Sequence, residues 1–217
     1  KFNSAGGRQW ATYYGGTEDE WGLSVATDAS GNVYLAGNTN STASIASGGY
    51  NNTFGGGSGF GTGDAFLVKF NSAGARQWST YYGGVDDDDG GYVAADASGG
   101  VYLAGSTPST TGIATAGSHQ PVKGGGAGWY NAYLVKFNAA TGARLWGTYY
   151  GGTSMDYGYS VATDLSGNVF MAGGANSSTS IASGGFDNTV SGTDAFLVKF
   201  NSAGARQWAT YYGGTGV

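Results

Sequence analysis

The chain has 217 residues, of which 44 are glycine, 2 are proline and none is cysteine. Glycine is about three times as frequent as in an average protein, which excludes a helical bundle and a doubly wound α/β fold. Aromatic residues make up 15% of the chain, too many for a disordered or collagen-like protein. The formal net charge of −5 disfavours nucleic acid as a partner. No apolar run approaches the roughly 18 residues of a membrane span, so we expect no direct membrane insertion.

Recurrence of the tripeptide Lys-Phe-Asn indicates the architecture. It begins at Lys1, Lys69, Lys136 and Lys199, so the period is 63–68 residues. In the first complete unit, β-branched and aromatic runs occupy 23–28, 32–37, 65–70 and 76–82. Turns of Gly, Asn, Asp and Ser separate these runs, which is typical of strands joined by hairpins. Four antiparallel strands per unit are typical of a propeller blade, so we expect an all-β protein built as a β-propeller.

The repeat also predicts where the blades begin and end. Complete blades are expected at 17–84, 85–152 and 153–214. Residues 1–16 are predicted to be a half blade with the third and fourth strands, and 215–217 the start of another unit or a tail. Because the sequence begins inside a repeat, we expect a segment of a larger propeller. Further blades of the same longer chain, or a neighbouring protein, would complete it.

One stretch in each unit is long and variable in composition. These stretches lie between the second and third strands, at 38–63, 106–130 and 174–193. They are rich in Gly, Ser, Thr and Asn, and loops of this length are typically functional or disordered. We expect them on one face or rim of the propeller, with the glycine runs 55–57 and 124–126 as flexible linkers.

Aspartates recur at two places in the predicted hairpins. Asp28, Asp96 and Asp164 precede Ser-Gly turns, where an Asp side chain accepts hydrogen bonds from amides two residues on. Asp64, Asn131 and Asp194 precede the third strand. We expect the first set to form turns and the second to orient the incoming loop through hydrogen bonds to its backbone.

Aromatic and basic residues also follow the repeat. Trp10, Trp78, Trp146 and Trp208 recur on the fourth strand, each followed by a Tyr pair. Strict recurrence predicts packing between blades, and sugar stacking is the alternative. Trp129 lies outside the repeat in the second long loop and is therefore the aromatic candidate for ligand binding. The repeated lysines and arginines are expected at the surface with their charged heads in water, and a ring that binds anions or polysaccharide is the alternative.

An acidic cluster, Asp86, Asp87, Asp88 and Asp89, lies in the predicted loop between two blades. Carboxylates on a Gly-flanked loop are the oxygen ligands that calcium prefers, so these four are a candidate calcium site. The EF-hand pattern fails, because Gly90 takes the place of the third ligand and Ala97 that of the closing Glu. The alternative is a solvated acidic rim that aids solubility, with no cofactor at all.

Catalysis has little support in the residue inventory. Without cysteine there is no thiolate metal site or cysteine nucleophile, and a Ser-His-Asp triad would have to use His119, the single histidine. Aligning the long loops at Ile45, Ile113 and Ile181 places His119 opposite Asn51 and Asp187, in a row of polar loop residues. We therefore expect a solvated or locally hydrogen-bonded loop histidine, with ligand binding as its candidate role, and no enzyme.

The unit as a whole resembles a known family. Its segments are, in order, Tyr-Tyr-Gly-Gly, an Asp-containing loop, Ser-Val-Ala-Thr-Asp-Ala-Ser-Gly-Asn-Val-Tyr-Leu-Ala-Gly and Asp-Ala-Phe-Leu-Val-Lys-Phe-Asn. The order of these segments resembles that of the SBBP (seven-bladed β-propeller) repeat. The resemblance covers essentially the whole chain. It implies a scaffold without defined catalytic residues, of the kind found in large secreted and surface proteins of bacteria. Gly/Ser/Thr-rich versions resemble those of Bacteroidetes proteins exported by type IX secretion.

Together these features predict an extracellular or cell-surface scaffold. Its long loops would contact a protein or a cell-surface glycan. A carbohydrate-binding module is the alternative, followed by a glycan-active enzyme domain.

Overall fold

Three four-stranded antiparallel sheets make up the fold of the computed structural model, which describes residues 1–57 and 63–214. The first sheet contains β1 (Glu20–Thr27), β2 (Val33–Thr39), β3 (Asp64–Phe70) and β4 (Arg76–Tyr82). The second contains β5 (Asp89–Ala95), β6 (Gly100–Thr107), β7 (Asn131–Asn138) and β8 (Arg144–Tyr150). The third contains β9 (Asp156–Thr163), β10 (Val169–Ala175), β11 (Asp194–Phe200) and β12 (Arg206–Tyr212).

Within each sheet the strands pair in chain order, which confirms the all-β fold of propeller blades. The fourth strand of the first sheet has the predicted bounds, whereas the first strand begins at Glu20, three residues earlier than predicted. The acidic residue Asp89 consequently belongs to β5 and not to a loop. No helix able to cross a membrane occurs in the described ranges.

The first strand of every sheet carries a β-bulge at the same repeat position. The ladder between β1 and β2 passes from Gly22 directly to Ser24 and leaves out Leu23. Gly91 is left out of the ladder between β5 and β6, and Tyr159 out of that between β9 and β10. Because a bulge re-aims its side chain, these three positions present unit-specific groups away from the regular pleat.

Aromatic side chains fill the interfaces between consecutive sheets, as predicted. The Trp78 ring is 3% exposed and its Nε1–H donates to the carbonyl of Ala139 in the next blade, at 3.0 Å. Tyr82 packs against Tyr133 and Phe137, with ring centroids 5.2 and 5.7 Å away. Burial of such large rings at every interface stabilises the stack of blades through the hydrophobic effect.

The repeated lysines take part in the same interfaces. Lys69 Nζ donates to the Ala139 carbonyl at 2.8 Å. Lys136 is 9% exposed and lies 3.4 Å from the Asp96 carboxylate. The expectation that these ammonium groups stand in water is therefore wrong for Lys136, because its head lies between Asp96 of its own blade and the Ser202 carbonyl of the next, to which it donates at 3.4 Å.

Residues 1–16 form no regular strand. Phe2 and Arg8 make an isolated antiparallel bridge in place of the two predicted strands. The segment nevertheless packs on the first sheet: Trp10 Nε1–H donates to Ser72 O at 3.0 Å, as Trp78 does to Ala139. The predicted tail at 215–217 lies outside the described residues.

The long loops are docked on the blades. Ser47 pairs with Ser79 of β4, Thr115 N–H donates to Gly147 O of β8, and Ser183 pairs with Ala209 of β12. The isoleucines at the start of each loop are all completely buried: Ile45, Ile113 and Ile181. Each loop thus covers the outer edge of its own sheet, which protects that edge from pairing with other chains.

The sequence predicts flexible linkers at the glycine runs 55–57 and 124–126, but each is tied to the following strand by a hydrogen bond. Gly55 N–H donates to Asp64 at 2.6 Å, and Gly124 N–H donates to Asn131 at 2.7 Å. These bonds also bear out the role predicted for the polar residue before the third strand, which holds the incoming loop. Residues 58–62 of the first long loop lie outside the described ranges.

Candidate functional site

The aspartates of the β-hairpin turns have the predicted structural role. Asp96 Oδ1 accepts hydrogen bonds from the amides of Ser98 and Gly100, at 2.8 and 2.7 Å. Its Oδ2 accepts a bond of 3.0 Å from the hydroxyl of Tyr102. Burial works against the ionised carboxylate, but these hydrogen bonds outweigh it and lower the pKa of Asp96. The equivalent Asp28 and Asp164 also accept hydrogen bonds from turn amides, so all three carboxylates serve to form the turns.

The four consecutive aspartates lie in different surroundings. Asp86 is exposed, whereas Asp88 is fully buried and its carboxylate accepts hydrogen bonds from Gly84 N–H, Thr107 Oγ1–H and Ser109 Oγ–H. Asp89 accepts a bond of 3.2 Å from Asn38 Nδ2. Among residues 1–57 and 63–214, no three His, Cys, Asp or Glu side chains are grouped so that they would hold a metal ion. Calcium binding and a solvated acidic rim therefore both stay open as the alternatives for Asp86–Asp89.

Asp88 lies beside a second buried carboxylate that sequence reasoning did not connect with it. A Cβ built on Gly83 would lie 2.4 Å from Asp64 Oδ1 and 2.7 Å from Asp88 Oδ2, so both groups border this glycine. Burial raises the pKa of Asp64 to about 7, and the charge of Asp88 adds to the rise. Burial likewise raises the pKa of Asp88 to about 6. Asp64 Oδ1 is buried without a hydrogen-bond partner in the described structure.

The corresponding place in the second unit carries one carboxylate instead of two. Asn131 stands where Asp64 does, beside Asp156 in the role of Asp88, and both border Gly151. The Asn131 amide donates to Tyr130 O at 3.1 Å and accepts from Gly124 N–H. The first unit thus carries two acidic groups where the second carries one, and the pair is a structural feature of the buried core.

His119 does not lie where the loop alignment placed it. Gln120, and not His119, makes the backbone bonds to the fourth strand that Asn51 and Asp187 make, because the second loop has one more residue after its isoleucine. The His119 ring instead packs on Tyr150 and Phe200, at centroid distances of 6.1 and 5.6 Å. Burial lowers its pKa, and Arg206 lowers it further. His119 is thus half-buried against these rings and not fully solvated, and it lines an open cleft of about 340 Å³ together with Trp146 and Arg206.

Trp129 lies on an ordered loop with its ring 40% exposed. The loop is organised by Lys123, whose ammonium is 9% exposed and donates to the carbonyls of Gly124, Gly126 and Trp129. The ring is thus held at the surface by a backbone with little freedom, as a recognition residue requires. The next residue, Tyr130, begins a row of aromatic rings.

A cleft lies where the first strands of the three sheets meet, and we call it the three-blade cleft. It has a volume of about 280 Å³, and its lining includes Leu23, Asp89, Gly91, Tyr92, Tyr157 and Tyr159. Leu23, Gly91 and Tyr159 are the three bulge residues, so a repeat position that differs in all three units opens into one space. Glycine in the middle unit leaves room between the larger side chains on either side.

Three tyrosine rings form one wall of this region. Tyr157 and Tyr159 lie on the same face of β9 with their rings 6.0 Å apart and only 4° from parallel. Tyr130 stacks on Tyr157 at 5.6 Å and 28°. Tyr130 also lines a neighbouring open cleft of about 430 Å³ together with Asp86, Asp87 and Pro108. The aromatic row thus connects the two clefts.

Polar groups line the same cleft as the tyrosines. Asn38 donates to the Asp89 carboxylate and accepts a hydrogen bond of 2.8 Å from Gly90 N–H. Ser106 Oγ accepts a bond of 3.1 Å from Gly158 N–H. Burial raises the pKa of Asp89, and the charge of Asp87 raises it further. The three-blade cleft therefore combines apolar ring faces with a few oriented acceptors and donors, which is the composition of a small-molecule site.

Comparison with known proteins agrees with the repeat. Residues 9–42 and 145–179 match the β-propeller repeat family SBBP. Each match covers the end of one unit and the beginning of the next, including a first-strand bulge. No curated protein matches the chain.

Proposed function

Since the chain carries SBBP β-propeller repeats, a type of binding or scaffold domain, we propose that it is an extracellular, non-enzymatic scaffold that binds a protein or glycan of a cell surface. The observation that carries this proposal is the contrast between repeated and unit-specific residues. Repeated polar groups such as Asp96 and Lys136 are used within and between blades. Unit-specific side chains such as Tyr130, Tyr157 and Tyr159 line open clefts instead.

The recognition surface consists of these clefts and the adjoining Trp129 loop. Because the first part of each long loop covers a sheet edge, only its later part contributes to recognition. A rigid scaffold that carries exposed aromatic anchors is typical of binding proteins, since aromatic side chains supply large contact areas at low entropic cost.

Non-enzymatic function is supported by the placement of the titratable groups. Asp64 and Asp88 have raised pKa values but are completely buried, so a substrate does not reach them. The His119 ring packs against two aromatic rings of the blade interface. General acid–base catalysis needs a group within hydrogen-bond reach of the substrate, which Asp64 and Asp88 do not offer. His119 also lines an open cleft of about 340 Å³ beside Trp146 and Arg206, but the described lining of that cleft contains no carboxylate to act with it.

A cell-binding experiment tests the proposal. The fluorescently labelled chain is incubated with intact bacterial cells and bound protein is measured by flow cytometry. We expect binding that the triple variant Tyr130→Ser, Tyr157→Ser, Tyr159→Ser reduces at least tenfold. Tyr13→Ser is the matched control, because Tyr13 is fully exposed and lines neither cleft. No binding, or equal binding by all three proteins, overturns the proposed function.

Localisation is tested separately in the cells that produce the protein. An antibody against the chain is expected to label intact cells or to detect the protein in the medium. Labelling only after the cells are lysed overturns the extracellular part of the proposal.

A further inference from the structure

We propose that the three-blade cleft binds a neutral oligosaccharide, with a sugar ring stacked on Tyr159 and its hydroxyls bonded to Asp89 and Asn38. This inference rests on the proposed binding function and names the ligand class of the same site. The ring of Tyr159 is held parallel to that of Tyr157, and the residue is 53% exposed. An ordered, exposed ring presents the flat apolar face that the C–H face of a pyranose covers.

The floor of the cleft allows a ligand to approach the backbone. Gly90, Gly91, Gly105 and Gly158 all line it. Gly91 occupies the bulge position where the other blades carry Leu23 and Tyr159, and a Cβ there would lie 2.8 Å from Leu23 Cδ1. The absence of a side chain at this one bulge creates the space, and glycine commonly marks a site where a ligand lies against the backbone.

The polar groups match hydroxyl chemistry. A carboxylate offers about four acceptor positions, and the hydrogen bond from Asn38 Nδ2 takes one of those on Asp89. Vicinal hydroxyls of a sugar donate to such an acceptor and leave the ring face free for stacking. A peptide offers fewer adjacent donors along one edge.

The charge around the cleft favours a neutral ligand over an anionic one. Asp89 lines the three-blade cleft, and Asp86 and Asp87 line the neighbouring one beyond Tyr130. These carboxylates repel uronic acids and sulfated sugars, because like charges within a few ångströms are unfavourable even when screened. Anionic glycans are therefore excluded by electrostatics.

The size and continuity of the clefts indicate a chain of sugars. A volume of about 280 Å³ is near the lower limit of small-molecule sites, roughly 300–1,000 Å³. It accommodates one or two rings of a longer molecule. The tyrosine row from Tyr159 through Tyr157 to Tyr130 leads into the second cleft, so further rings have a continuous path.

Titration with defined hexasaccharides tests the inference. Cellohexaose, maltohexaose and mannohexaose are the neutral probes and hexagalacturonate the anionic one, with heat of binding measured by calorimetry. We expect at least one neutral probe to bind and the anionic probe to bind at least tenfold more weakly. Tyr159→Ala should weaken binding at least tenfold, whereas the exposed Tyr13→Ala should leave it unchanged.

A second variant fills the cleft without removing a ring. Gly91→Leu copies the residue that the first blade carries at this position, and its backbone there is not in the left-handed region. We expect Gly91→Leu to abolish oligosaccharide binding while the melting temperature stays within a few degrees of the parent chain. Stronger binding of hexagalacturonate, or binding unaffected by Tyr159→Ala and Gly91→Leu, overturns the inference.

The outcomes also separate this inference from the proposed function. If no neutral probe binds but cell binding persists, depends on the tyrosine row and disappears after protease treatment of the cells, the ligand is a protein. The oligosaccharide inference is then wrong and the scaffold function stands. If both assays fail, both proposals are wrong.

Discussion

The hydroxyl of Tyr82 donates a 2.6 Å hydrogen bond to the backbone carbonyl of Ile113, at the start of the long loop of the next blade. Tyr14 does the same to Ile45 and Tyr150 to Ile181. The acceptor carbonyl in the second unit also receives Arg144 Nη1–H at 3.1 Å. The segment before β1 and the strands β4 and β8 thus each hold the loop of the following unit through a tyrosine.

Tyr82→Phe tests this inter-blade bond. Tyr82 is fully buried, so removal of its hydroxyl leaves part of the bonding capacity of the Ile113 carbonyl unused without changing the ring packing. We expect a loss of about 1–2 kcal/mol in the free energy of unfolding, measured by denaturant titration. Tyr13→Phe is the control, because the exposed Tyr13 hydroxyl contributes no buried bond. An equal loss in both variants contradicts the assigned role.

Asp64→Asn is expected to change the pH dependence of stability. Because the pKa of Asp64 is raised to about 7 by burial, the folded state binds more protons than the unfolded state between about pH 4 and 7. The contribution of Asp64 to the free energy of unfolding is therefore fully present below about pH 4 and is lost as the pH rises through about 7. The variant removes this loss and should be more stable at pH 8 by on the order of 1–3 kcal/mol.

The reciprocal change supplies the matched control. Asn131→Asp gives the second unit the buried pair that the first unit has, so we expect it to be less stable than the parent at pH 8 and closer to it at pH 5. Thermal melts across this range check both variants. If stability changes with pH in the same way in the parent chain, Asp64→Asn and Asn131→Asp, the raised pKa values assigned to the buried pair Asp64 and Asp88 are wrong.

Asp96→Ala should cost about 2 kcal/mol, because the amides of Ser98 and Gly100 and the hydroxyl of Tyr102 lose their acceptor. The equivalent Asp164→Ala should cost less, because Phe170 replaces Tyr102 and the donor to Asp164 Oδ2 is instead Asn168 Nδ2, in a turn that is less buried than that of Asp96. Urea titrations of the two variants measure the difference. A larger loss for Asp164→Ala would mean that the tyrosine bond is unimportant.

His119 should contribute to stability through its ring contacts. His119→Ala is expected to cost about 1 kcal/mol, from lost packing on Tyr150 and Phe200. The lowered pKa of His119 means that its contribution is present above about pH 6.5 and is lost as the pH falls below that value. His119→Phe copies Phe186 of the third loop and should remove this acid sensitivity, as seen in melts at pH 5 and 8.

The acidic cluster should show no calcium dependence in thermal melts. Asp88 already accepts three hydrogen bonds inside the fold, so it is not available to complete a site with Asp86 and Asp87. We expect equal melting temperatures in millimolar calcium and in chelator. A rise in calcium that disappears in the Asp86→Asn, Asp87→Asn variant would establish the calcium site instead.

Residues that act within a hairpin were predictable, because the repeat displays the same local pattern three times. The bounds of β4 and the turn role of Asp28 follow from such patterns. The pairing of Asp64 with Asp88 and the convergence of Leu23, Gly91 and Tyr159 depend on how blades meet, so no local pattern reports them. The one available signal was Gly91, which stands where the other two units carry large side chains.

The tyrosine bonds between blades all run in one direction along the chain. In each case the donor belongs to the earlier unit and the acceptor to the later one. A ribosome releases the earlier unit first, so the donor of every bond is already outside the exit tunnel when its acceptor emerges. The chain can therefore assemble blade by blade during translation, with each finished unit serving as the template for the loop that follows.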